Sequence, residues 1–159
     1  MGNPDQPLDT ILASLKERAK ELACLYQIDE IVDHARELDA DAFEQVVRAI
    51  PPGWQFPGIC EARISIGETS YSTDRFDLAV ATMRAPIEVE GDLVGTVAVA
   101  YTEPCPESDE GPFLKEERRL IDAIAKRMAH AILRSQIRES RRPRSGPGSQ
   151  PDRPRHPWE

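Results

Sequence analysis

ATMRAPIEVEGDLVGTVAVAY, residues 81 to 101, is the stretch from which the fold is read. Ala81, Met83, Ala85, Ile87 and Val89 alternate with Thr82, Arg84, Pro86 and Glu88, a period of two that gives a strand one apolar and one wet face. Glu90-Gly91-Asp92 supplies a turn, and Leu93 to Tyr101 returns with Val97, Val99 and Tyr101 on one side. Pro86 has no amide to donate to a ladder, so it belongs on an edge or at a bulge. Upstream the period is again two: Ala62, Ile64 and Ile66 alternate with Arg63 and Ser65. Gly67-Glu68 then turns the chain into a polar, exposed return strand, Thr69 to Thr73. The two hairpins together predict an antiparallel meander of at least four strands, with helices covering one face.

The helices flank that sheet. From Leu8 to Val32 the apolar residues keep a seven-residue rhythm: Leu8, Leu15 and Leu22 share one position, and Leu12, Ala19 and Tyr26 follow each by four. Lys16, Glu17, Arg18, Lys20 and Glu21 lie between them as a solvated face. Such a stripe serves either an amphipathic helix packed on its own domain or a helix paired with another. Its narrowness and its position near the chain start favour pairing. A second helix is expected from Asp41 to Ile50, with Asp41 and Glu44 spaced as a capping box and Phe43, Val46, Val47 and Ile50 as its apolar face. Pro51-Pro52-Gly53 stops it. Trp54 and Phe56, beside the following Pro57-Gly58, are expected to plug the edge of the core. A long helix from Phe113 to about Glu139 closes the fold, with Leu120, Ile121, Ile124, Ala125, Met128, Ala131, Ile132 and Ser135 on its buried side. Some 26 residues span roughly 39 Å, so one end should project past the sheet.

Composition narrows the functional classes. The net charge is −8 over 159 residues. The tail from Arg138 onward has six arginines and three acids, a net +3, which leaves −11 on the body before it. An acidic body repels phosphate backbones, so nucleic acid is not an expected partner. No apolar run reaches a membrane-spanning length, and Met1 to Thr10 lacks the pattern of a signal peptide, so a cytoplasmic protein without membrane contact is expected. Residues 1–7 read as a flexible N-terminus, 8–139 as one domain with its flanking helices, and 140–159, rich in arginine and proline, as a disordered tail.

Chemistry-bearing motifs are sparse. Cys24, Cys60 and Cys105 are far apart and odd in number, which suits reduced thiols better than a zinc site or a disulfide framework. His34, His130 and His156 are scattered, and no nucleotide-binding or nucleophile-elbow pattern occurs. His130 lacks the following acid and the downstream proline of a phosphoacceptor box. The acids Glu103, Glu107, Asp109 and Glu110 lie among Pro104, Pro106 and Pro112 without the spacing of a calcium loop, and read as a solvated connector. No catalytic residue, metal ligand or cofactor is therefore expected.

Three segments carry a family resemblance: ELACLYQIDEIV at residues 21–32, IPPGWQFPGICEARI at 50–64 and DEGPFLKEERRLIDAIA at 109–125. In this order they resemble a compact GAF-like domain of bacterial signalling proteins, of the kind found beside histidine kinases and at the front of phosphoenolpyruvate-synthase-like proteins. The resemblance implies an α+β fold, a GAF/PAS-like antiparallel sheet flanked by long N- and C-terminal helices. It also implies a sensory or regulatory role exercised along those helices. Only about 45 residues separate Cys60 from Pro104, and strands nearly fill them, which leaves little chain for the pocket helices of larger relatives. The expectation is a homodimer whose flanking helices pair in parallel through Leu8, Leu12, Leu15, Ala19, Leu22, Tyr26, Ile121, Ile124, Met128 and Ala131, with a histidine kinase or similar signalling protein as partner. The alternative is a regulatory front domain or fragment of a phosphoenolpyruvate-synthase-like enzyme.

Overall fold

A computed structural model of the chain describes residues 6–141. It is an α+β fold: α1 (Gln6–His34), α2 (Ala40–Ala49), β1 (Cys60–Ile66), β2 (Thr69–Ser72), β3 (Ala81–Val89), β4 (Asp92–Tyr101) and α3 (Lys115–Arg141). The expected tail lies outside the described residues apart from 140 and 141, which continue α3; of the expected N-terminal segment 1–7, residues 1–5 lie outside the described residues and 6 and 7 begin α1.

All strand pairs are antiparallel, but the order is β2-β1-β4-β3, which corrects the expected meander. The two hairpins form as read, and they join through β1 and β4, with Ala62 opposite Val99 and Ile64 opposite Val97. The physical reason is burial. β4 carries the longest apolar run, VAVAY, and the central position shields both of its sides. Pro86 falls on the edge strand β3, next to a register shift at Ile87/Glu88. The β3–β4 loop is the two-residue pair Glu90-Gly91, both at positive φ (52° and 88°), with Asp92 already back in the ladder opposite Val89.

This order sends the link between β2 and β3 from one edge of the sheet to the other. It crosses the face opposite the helices, where Phe76 and Ala79 pack on Ala98 and Ala100. Alanines at those two β4 positions leave the room a phenyl ring needs. Arg63 holds the crossing down from above, its guanidinium 4.4 Å from the Phe76 ring centre and 3.2 Å from Asp77.

On the other face α2 covers β1 and β2, with Phe43 stacked on Tyr71 at 4.9 Å, while α3 covers β3 and β4. α1 forms a third, outer layer on α2 and α3. Two ion pairs tie it to α3: Asp29–Arg127 at 3.0 Å and Asp33–Arg134 at 3.4 Å. Because the residue numbers of both partners rise together, α1 and α3 run parallel. The cap of α2 is Asp39, not Asp41: Asp39 Oδ1 accepts from the Ala42 amide at 3.0 Å, whereas Asp41 accepts from the Gln45 side chain.

Candidate functional site

Being outermost, α1 uses only one side to join the domain. Cys24, Ile28 and Val32 are buried, and the Cys24 thiol rests against the carbonyls of Ala49 and Ile50 at the end of α2. At 100° per residue, the stripe through Leu8, Leu12, Leu15, Ala19, Leu22 and Tyr26 points about half a turn away from that packed side. All six are exposed, Leu15 by 59% and Tyr26 by 65%. Ile11 belongs to the same face and is 53% exposed. From Pro7 to Lys16 every residue of α1 is exposed, so the first half of the helix projects beyond the body. The long C-terminal helix also outruns the sheet, with residues 136–140 exposed.

Four of the residues expected at a dimer interface are placed elsewhere. Ile121, Ile124, Met128 and Ala131 are buried in the core between α3 and the sheet. Their spacing is that of a helix face covering β3 and β4, and no part of it is left for a second chain. Among the expected interface residues, only those on α1 lie at the surface together. Ile11 was missed although its step of three from Leu8 is a helical neighbour spacing.

The most unusual polar group is Glu117, a carboxylate in the core at 1% exposure. Its Oε1 accepts from the Leu114 amide at 2.8 Å, and its Oε2 accepts from the Gln55 amide at 2.7 Å and the Tyr101 hydroxyl at 3.1 Å. Loss of water pushes its carboxyl above the usual range, against the pull of those three donors. Leu114 is the residue before α3, so Glu117 supplies the backward half of a capping box while pinning the 50–56 turn and β4. A helix expected from Phe113 hides this cap; the step of three from Leu114 to Glu117 is the signal that could have found it. Trp54, wholly buried, has an indole N–H with no acceptor among the described residues, and Phe56 meets Tyr101 edge-on at 5.6 Å, so both aromatics plug the core as expected.

The acidic loop before α3 is exposed at Glu103, Glu107, Asp109 and Glu110, as a solvated connector should be, and its last residues are tied to α3. Asp109 accepts from the Lys115 amide at 2.9 Å, and Glu110 takes two hydrogen bonds from Arg118, which also donates to the Arg84 carbonyl. Burial pushes the Cys24 thiol up to about 12 and raises Cys60 as well, so neither is a thiolate near neutrality. His34 and His130 are exposed on the helices. Several open grooves flank α1, two of which reach its middle and its projecting half. One, of about 680 Å³, lies against α2 and is lined by Lys20, Cys24, Gln27, Ile31 and Arg48 among others. The other, of about 550 Å³, lies between the projecting half of α1 and the start of α3, with Ile11, Leu15, Glu21, Leu114 and Arg119 in its walls. Among the described residues, no three His, Cys, Asp or Glu side chains converge as a metal site, and no helix is long and apolar enough to cross a membrane.

No protein-family model matches the chain, and no curated protein matches it in sequence.

Proposed function

We propose that this chain is a cytoplasmic, non-catalytic sensory or regulatory module, GAF-like in kind, that acts by self-association through α1. The observation that carries this reading is the apolar stripe of α1, directed away from the domain it belongs to. An exposed leucine row costs solubility and is kept where a partner covers it. Covering the exposed parts of these side chains returns on the order of 1 kcal/mol each. The flanking helices then carry a state of the sheet domain to a signalling protein, a histidine kinase or similar, in a two-component arrangement.

Light scattering at micromolar concentration tests the reading, with about twice the monomer mass expected. Leu15→Asp combined with Leu22→Asp should give a folded monomer. Both positions are more than half exposed, so the charges cost the body little but would be desolvated in a pair. A wild-type protein that stays monomeric from micromolar to millimolar concentration would sink the proposal.

A further inference from the structure

We infer that Glu21 is a proton-operated latch between α1 and α3: as the neutral acid it seats the middle of α1 on the start of α3, and as the carboxylate it lets the segment before it swing free. It acts within one copy of the chain, whatever covers the leucine stripe. The solvated face expected to hold Glu21 is not where the structure puts it. Glu21 and Glu117 are the two buried charged side chains among the described residues, at 8% and 1% exposure. Both stand at the start of α3, yet they are served differently. Glu117 has three hydrogen-bond donors from three parts of the chain. Glu21 has Arg18, one turn away on its own helix at 3.7 Å, and among the described residues no hydrogen bond from another element. A carboxylate buried without donors from its surroundings is disfavoured against the neutral acid in the same place.

The position is where α1 leaves the body. Its inward line runs through Glu17, Glu21, Cys24, Ile28 and Val32, and Glu21 is the first buried residue of the helix. Toward the C-terminal end, opposite charges join the two helices, Asp29 with Arg127 and Asp33 with Arg134. The same spacing carried back to the start of α3 brings Glu21 beside Arg119 and Glu17 beside Glu116, around the groove of about 550 Å³. No ion pair among the described residues crosses there. Arg119 pairs with Glu116 at 3.8 Å, Arg18 with Glu21 and Lys20 with Glu17, each within its own helix. The charged groups that face Glu21 are Arg18 and Glu17 on α1 and Glu116 and Arg119 on α3. Arg48 of α2 lines the opposite groove with Lys20, and the Pro51–Gly53 turn, which also packs on α1, has no charge. Loss of water is the largest influence on the Glu21 carboxyl and raises it. The seated helix therefore holds this proton more tightly than the released one. Seating is fully favoured below the ordinary carboxyl range and is lost as pH rises through the raised value.

Spin labels on Ser14→Cys and Lys115→Cys read the latch, one on the projecting half of α1 and one on the first turn of α3. Both positions are exposed, and a Cys105→Ser background leaves only the buried thiols of Cys24 and Cys60. Dilution into unlabelled protein confines the reading to distances within one copy. At low pH a single short distance is expected. As pH rises a longer population should grow, by up to about tenfold per pH unit, the slope of one proton. Glu21→Gln, neutral and of the same shape, should hold the short distance throughout. Glu116→Gln removes a facing negative charge and should move the transition to lower pH, whereas Arg119→Gln should move it to higher pH. A distance that does not change with pH overturns the latch. So does a transition that persists in Glu21→Gln, or one that ignores both Glu116→Gln and Arg119→Gln.

Discussion

Glu117 shows how one residue can hold three parts of a chain together. A buried carboxylate is costly unless its lone pairs are used, and here three donors from α3's first turn, the 50–56 turn and β4 use them. Glu117→Leu leaves two amides and a hydroxyl without an acceptor and should cost at least about 2 kcal/mol in denaturant unfolding. The pH dependence has a definite sign. Burial raises the carboxyl in the folded state, so the folded protein holds this proton more tightly than the unfolded chain does. Its contribution is fully present below the ordinary carboxyl range and is lost as pH rises through the raised folded value. Glu117→Gln removes the titration, so its stability should fall less than the wild type's over that window. Parallel stability–pH curves for the two proteins would show that burial does not govern this group.

Elements differ in how far local sequence fixes them. The β3–β4 hairpin is the clearest, since its alternation and its Gly91 were legible at once. Yet its turn has Glu90 at φ 52°, where a side chain with a Cβ is strained and asparagine or glycine is preferred. Glu90→Asn should therefore raise stability by roughly 0.5–1 kcal/mol, read as a higher denaturant midpoint with an unchanged slope. A fall in the midpoint would mean that the Glu90 side chain contributes more than its backbone strain costs. α1 is a different case. Its rhythm fitted a helix packed on its own domain as well as a paired one, and the face that packs on the domain is not the one the rhythm marks. Cys24, Ile28 and Val32 pack inward while the leucine stripe faces out. The α3 face was legible as a buried side, but the pattern alone could not say whether sheet or second chain buries it.

At the scale of the whole molecule, the proposed self-association would tie stability to concentration. A dimer that unfolds to monomers gains stability by mass action, so the melting temperature should climb as protein concentration is raised a hundredfold. Leu15→Asp with Leu22→Asp should abolish that dependence and leave a cooperative transition. A wild-type midpoint that does not move with concentration counts against pairing. The layering explains why the dependence is expected. The sheet, then α2 with α3, then α1 bury one side of each successive layer, and the last layer has an apolar side left over.

The sequence by itself determined the strands and α-helices of the described residues and the α+β class. Period-two and helical apolar spacing, glycine turns and the Pro51-Pro52 stop are local signals that act within a few residues of chain. It also set out the leucine stripe, residue by residue. Tertiary structure alone decided the strand order β2-β1-β4-β3, the crossing of Phe76 over Ala98 and Ala100, and the burial of Ile121, Ile124, Met128 and Ala131 under the sheet. It alone also turned Glu117 inward. Each of these depends on which apolar faces find one another across long stretches of chain, and a periodic pattern records that a face is apolar without recording what will cover it.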